Sequence, residues 1–162
     1  MIRIRRANLN DTKTILCLWV EFNKDFKDLL KKNSRLNPYI ELKENCNEIF
    51  RKYLKKNLKS KNSAVFIAEI NGIQAGYNLI YVKKNIPIFR LEKLSYISDL
   101  FVKKEFRGKG ISSKLKTKAI EWFRKKGLSH ASIAVWSDNI KAHSIYKKWG
   151  FFGYHLEMRK KI

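Results

Sequence analysis

The chain is expected to fold as one α/β (α+β) domain, a mixed central sheet flanked by helices. Two observations predict this: apolar spacing alternates along the chain between a strand period of two and a helix period of three to four, and one strand runs straight into a glycine-containing turn that opens a helix. With 162 residues, 44% hydrophobic and 13% aromatic, the chain can bury one substantial core, so residues 1–162 are assigned to a single domain.

Ile2 to Arg6 alternates apolar with basic residues and reads as a strand, and Asn8-Leu9-Asn10-Asp11 supplies a turn and a helix cap. From Asp11 to Lys32, Ile15, Leu18, Trp19, Phe22, Phe26, Leu29 and Leu30 share one helical face. Asn33-Ser34 and Asn37-Pro38 break that pattern. Leu42, Cys46, Ile49, Phe50, Tyr53 and Leu58 mark a second helix, with Glu41, Glu44 and Glu48 near its start, where the helix dipole favours acids. Ala64 to Ile70 then reads as a strand, Asn71-Gly72 as a hairpin turn, and Ile73 to Val82 as the antiparallel return. Gly76 inside that return predicts a bulge or a close backbone approach. Leu94 to Val102 is a further strand, Gly110 to Lys126 a helix, His130 to Trp136 a strand, Asn139 to Trp149 a helix and Phe151 to Lys160 a last strand. The predicted order is β-α-α-β-β-β-α-β-α-β.

Cys17 and Cys46 fall on apolar helix faces, are too few for a disulfide framework, and are expected to be buried free thiols. Met1 to Arg6 places charge at every second position, where a secretory leader needs an unbroken apolar run, and no later window is apolar enough to span a bilayer. A soluble, cytoplasmic protein is therefore expected. The formal charge of +22 invites a nucleic-acid reading. Its lysines are scattered rather than gathered into an arginine-rich stripe, so any nucleic-acid contact is expected to be weak and non-specific. The histidines His130 and His155 lack partners at metal-ligand spacing, and no metal site is expected.

The chemistry concentrates in two segments. In Phe106-Arg107-Gly108-Lys109-Gly110-Ile111-Ser112-Ser113-Lys114, glycines strip side chains from a strand-to-helix turn, so that backbone N–H groups and the helix dipole can converge on one anion. Arg107, Lys109 and Lys114 put charge nearby. The spacing departs from a dinucleotide fingerprint, whose ribose-binding acid is absent, and from a nucleoside-triphosphate loop. Further on, Asn139, Ala142 and Tyr146 recur at helical steps, presenting an amide, a small gap and a phenol to one side, and Gly150-Phe151 ends the helix.

Strand Ile97 to Val102, the Arg107-x-x-Gly110-x-Ser112 loop and Asn139-x-x-Ala142-x-x-x-Tyr146-x-x-x-Gly150-Phe151 together resemble the GNAT superfamily of N-acetyltransferases, and the element order resembles that fold over the whole chain. The resemblance implies acetyl-coenzyme A as cofactor and an amine, of a small molecule or a protein, as acceptor, acetylated by direct attack on the thioester. It implies that the main chain of Leu100, Phe101 and Val102 lies along the pantetheine arm. Arg107, Gly108, Lys109, Gly110, Ile111, Ser112 and Ser113 would hold the pyrophosphate, and Asn139 would bond near the thioester. Tyr146 would protonate the departing thiolate, and Asp99, on the strand beside the cofactor, reads either as a structural acceptor or as a residue that steers the base. Ser112 stands where the family loop has Gly or Ala, and Ser98-Asp99 where several relatives carry Glu-Asp. Glu21, Asp25 and Asp28 share one helix face, which reads either as a solvated face or as a ridge attracting a cationic amine. A rival reading is a basic module docking on RNA or ribosomes without turnover; a homodimer is left open.

Overall fold

The computed structural model describes residues Met1–Ile162. Strands β1 (Ile2–Arg6), β2 (Ser63–Ile70), β3 (Ile73–Lys84), β4 (Lys93–Val102) and β5 (Ala131–Ile133) form one sheet in the order β1-β2-β3-β4-β5. The first four pair antiparallel and β5 joins β4 in parallel. The parallel step needs a crossover, and helix α4 (Ile111–Lys125) supplies it. The remaining helices are α1 (Thr12–Leu30), the single turn α2 (Asn37–Ile40), α3 (Cys46–Lys59) and α5 (Ile140–Lys148).

Strand alternation divides the core between two faces. Phe66, Ile80 and Ile97 pack with Ile111, Leu115 and Phe123 of α4. On the other face Val65, Tyr77, Leu79 and Phe101 pack with Ile15 and Leu18 of α1 and with Phe50 and Leu54 of α3. The first turn is anchored by Arg5, which donates to both Asp11 oxygens at 2.9 and 2.7 Å and to Glu69 at 2.7 Å. Asp11 in turn accepts from the Asn8 backbone N–H at 2.8 Å, closing the capping box ahead of α1.

Gly76 meets both of its expectations. The β2–β3 register shifts beside it, and a Cβ built there would lie 2.3 Å from the Phe101 carbonyl oxygen, so only glycine lets β4 approach this closely.

Several expectations need correction. Cys17 is exposed and Cys46 only partly covered, because Cys17, one residue before buried Leu18, is rotated about 100° off the buried stripe. The second helix begins at Cys46, after Glu41 and Glu44, leaving Glu48 as the acid of its first turn. Strand His130 to Trp136 contracts to Ala131–Ile133; the chain then turns so that the Trp136 ring packs edge-on to Phe26 of α1 at 5.3 Å. The last strand, Phe151 to Lys160, does not form. Its final backbone hydrogen bond runs from Phe151 N–H to the Tyr146 carbonyl at 3.0 Å, and three-residue β5 offers too short an edge to pair with the rest.

Candidate active site

The site lies where β4 and β5 part. They pair only from Ser95 to Ile97 of β4, against Ala131 to Ile133 of β5, so the β5-facing edge of β4 is open from Ser98 to Val102. Leu100, Phe101 and Val102, expected along the cofactor arm, form that edge. The Val102 carbonyl is already engaged, accepting from Arg107 Nε at 2.9 Å.

Immediately after β4 the chain makes the turn into α4. Gly110 is the helix N-cap with φ +75°, and Gly108 has φ +78°, both in the left-handed region that side chains disfavour. No protein acceptor is bonded by the N–H groups of Gly108, Lys109 or Gly110. Those of Ile111, Ser112 and Ser113 precede the first helical bond, from Lys114 N–H to the Gly110 carbonyl at 3.1 Å. A run of unsatisfied donors at the positive end of a helix, with no Cβ at its two glycines, fits a pyrophosphate. The donor set thus fits the cofactor that the sequence led us to expect.

The arginine of this loop does other work. Arg107 forms an ion pair with Asp25 of α1, and Asp25 also binds Lys104 Nζ at 2.9 Å. Burial pushes the Asp25 carboxyl up, but the hydrogen bonds and charge of Lys104 and Arg107 outweigh it and hold the group below the usual carboxylate range. Lys103 Nζ binds Glu21 at 3.0 Å, and Lys31 binds Asp28 at 3.4 Å. Two acids of the α1 ridge, Glu21 and Asp25, therefore brace the cofactor loop against α1, while Asp28 stays half-exposed beside Lys31. Lys109 and Lys114 have no ion pair within the protein and remain the loop's free cations.

At the lip of the open edge β4 carries a bulge. Leu79 pairs with Asp99 and Ile80 with Ile97, so Ser98 is an extra residue. The Ser98 hydroxyl donates to Asp99 Oδ1 at 2.9 Å and the Tyr77 hydroxyl to Oδ2 at 2.7 Å. Burial raises the Asp99 pKa above the carboxylate norm; the two hydrogen bonds, which favour the ionised form, only partly offset it. Raised basicity in a hydrogen-bonded carboxylate suits proton transfer near neutrality. Tyr81 and Tyr96, paired across β3 and β4 beyond the bulge, have ring centroids 5.2 Å apart, and Tyr53 of α3 packs on Phe50 at 6.2 Å.

Asn139 and Tyr146 stand on α5. Asn139 caps this helix, its side-chain oxygen accepting from the Ala142 N–H at 3.1 Å, which leaves its amide NH₂ as the group free to reach a ligand. Tyr146 is half-buried against Trp149 and Phe151, at 5.6 and 6.3 Å between ring centroids. Burial alone pushes its phenol up to about 12, so it holds its proton throughout the physiological range.

Sequence reasoning missed the tyrosine cluster and the Asp25–Arg107 brace. Both depend on register and helix packing between distant segments; the one local sign was the repeat of tyrosine at Tyr77 and Tyr81, four places apart on a single strand face.

An open β4 edge, a glycine turn feeding α4 and a phenol on α5 define an acyltransferase-like α/β protein. Residues 24–151 match the acetyltransferase (GNAT) family, and the chain belongs to that family. It is 29% identical over 146 residues to an uncharacterized N-acetyltransferase of Archaeoglobus fulgidus, covering 90% of this chain and 89% of that one. Among solved structures, a mutant of the BH1408 protein of Bacillus halodurans superposes with a TM-score of 0.83 at 18% identity, covering 99% of each chain. A predicted acetyltransferase of Clostridium acetobutylicum, solved with acetyl-CoA, superposes with a TM-score of 0.74 at 17% identity over 98% of this chain and 96% of that one. The shared architecture is that of the sheet and its helices. No helix is long and apolar enough to cross a membrane.

Proposed function

We propose that the protein transfers an acetyl group from acetyl-coenzyme A to a primary amine. The observation that carries this reading is the unsatisfied N–H run from Gly108 to Ser113 at the start of α4, beside an open strand edge. It is supported by family membership and by the acetyl-CoA bound in the Clostridium structure of the same fold. When bound, the cofactor supplies an acetyl thioester reactive enough for an amine to attack directly.

The chain's own residues then have separable tasks. Backbone N–H groups of Gly108 to Ser113 hold the pyrophosphate, with Lys109 and Lys114 adding charge. The main chain from Leu100 to Val102 lines the arm, with the Val102 carbonyl fixed by Arg107. Asn139 offers its amide NH₂ toward the acyl end. Asp99, raised by burial and facing Ser98 and Tyr77, takes the proton of the incoming ammonium directly or through a water. Tyr146, protonated up to about pH 12, gives its phenolic proton to the departing sulfur and is restored by the second proton that the nitrogen sheds as the amide forms. Holding two reactants in line supplies most of the rate, and each placed proton donor or acceptor about 10²–10⁴ more.

An assay of thiol release from acetyl-coenzyme A across a panel of amines tests the reading. Amine-dependent release is expected, and release that is absent for every amine, or equal without one, would remove it.

A further inference from the structure

The acceptor end of the site has a composition that selects among amines. We infer that the strip running along β3 and β4 from Asp99 past Tyr81 and Tyr96 to Lys83 is the acceptor subsite, and that it takes a singly charged amine on a neutral or anionic body rather than a polycation. This inference rests on the acetyl-transfer reading above.

The bulge at Ser98 brings Ser98 and Asp99 together on the sheet face that packs against α1 and α3. Alternation places Tyr81 and Lys83 of β3, and Tyr96 of β4, on that same face. Tyr81 is paired directly with Tyr96 across the two strands. Their rings, half-exposed and 5.2 Å apart, form an aromatic floor leading to the carboxylate.

The Lys83 ammonium lies 4.6 Å from the Tyr96 ring centroid, the geometry of a cation held on an aromatic face, so this end of the strip already carries a positive charge. Lys83 has no carboxylate partner.

The charge count at the strip is then decisive. Asp99, accepting from the Tyr77 hydroxyl at 2.7 Å, is the carboxylate at the inner end of this strip, and Lys83 is the cation at its outer end. On the helices that cover this face, Glu21 and Asp25 of α1 are bound to Lys103, Lys104 and Arg107, and Glu48 of α3 to Lys52. One ammonium is therefore matched at Asp99, while a second would meet Lys83 in a chain of net charge +22. A neutral shank lies well on the tyrosines, and an anionic tail would find Lys83.

The test compares hexylamine and 6-aminohexanoate with spermidine and sisomicin, by thiol release from acetyl-coenzyme A and by calorimetric titration of the same amines into coenzyme A-loaded protein. The parent protein should favour the two monoamines by roughly tenfold or more in kcat/KM, the excess shrinking as salt rises. Lys83→Glu, at an exposed position, should shift preference toward spermidine and weaken 6-aminohexanoate. Tyr96→Leu should lower kcat/KM for hexylamine by about 2- to 30-fold while leaving acetyl-coenzyme A affinity unchanged. A parent protein that prefers spermidine or sisomicin, or a Lys83→Glu protein with unaltered preference, would overturn the inference while leaving acetyl transfer intact. Thiol release absent for every amine would instead overturn acetyl transfer. The titrations would still decide the subsite, since tighter binding of polycations, or no binding of monoamines, counts against it.

Discussion

Replacing Gly110 by valine tests the cofactor loop with a magnitude set by its geometry. Gly110 has φ +75° as the N-cap of α4, and a Cβ built there meets nothing within 4 Å, so the substitution creates strain rather than a clash. Left-handed backbone costs an ordinary L-residue about 1–2 kcal/mol, and a β-branched residue is among the least tolerant. The chain relieves that strain by rotating the peptides on either side, which turns the Gly110 and Ile111 N–H groups away from a shared focus. Two charge-assisted hydrogen bonds at about 1.5–3 kcal/mol each correspond to a loss of roughly 10²–10⁴ in affinity. Because the strained residue lies at the surface with no packed neighbour, thermal stability should fall by only about 1–2 kcal/mol. Isothermal titration of acetyl-coenzyme A, beside a thermal melt, reads both quantities. Equal affinity in parent and variant would show that this turn does not hold the pyrophosphate.

Other substitutions probe the remaining parts. Tyr146→Phe keeps the ring against Trp149 and Phe151 and should lower kcat by about 10²-fold, roughly 2.7 kcal/mol, with little change in the KM for acetyl-coenzyme A. Because the phenol stays protonated up to about 12, the parent should show no alkaline loss from this group below about pH 10. Asp99→Asn should cut kcat/KM for the amine and alter the acid limb of the pH profile. Its folded pKa is raised, so ionisation of Asp99 opposes folding as pH rises past its unfolded value; the variant should melt no lower than the parent at pH 7, with any gain vanishing toward pH 4. Asp25→Asn frees Arg107 and Lys104 and should raise the KM for acetyl-coenzyme A several-fold at a stability cost of about 1 kcal/mol, since both cations are largely solvent-screened. Asp25 is held below the usual carboxylate range, so its stabilisation is present at neutral pH and fades as pH falls through that depressed value; Asp25→Glu should restore most of the KM. Nucleic acid should bind only at about 10⁻⁴–10⁻⁶ M near physiological salt, without sequence preference, as fluorescence anisotropy would show.

Much of the fold was legible because its signals are local. Asn71-Gly72 joins β2 to β3, the glycine turn opens α4, and the apolar stripes of α1 and α4 face the sheet. The ends were less legible for a physical reason. Phe151 to Lys160 carries a strand's alternation, yet a strand exists only against another edge, and β5 lends three residues because Trp136 leaves the sheet to pack on Phe26. The thiol of Cys17 was misplaced because one residue of helical phase separates a buried position from an exposed one. Within the site, spacing pointed to the glycine loop and to the Asn139–Tyr146 face, and the family resemblance to Asp99, whereas their partners could not be read. That Asp99 accepts from Tyr77, or that Asp25 braces Arg107, depends on a bulge and on helix packing across 22 and 82 residues of sequence.

The proposed reaction is direct transfer from thioester to amine, without a covalent acetyl-protein. Rapid mixing of the protein loaded with radiolabelled acetyl-coenzyme A against a reactive amine, quenched over the first turnover, tests it most directly. Direct transfer requires that free thiol and N-acetyl amine appear together, at the same rate and in equal amounts, with no label on the protein at any time. A burst of thiol ahead of product, with label on exposed Cys17 or another side chain, would contradict it.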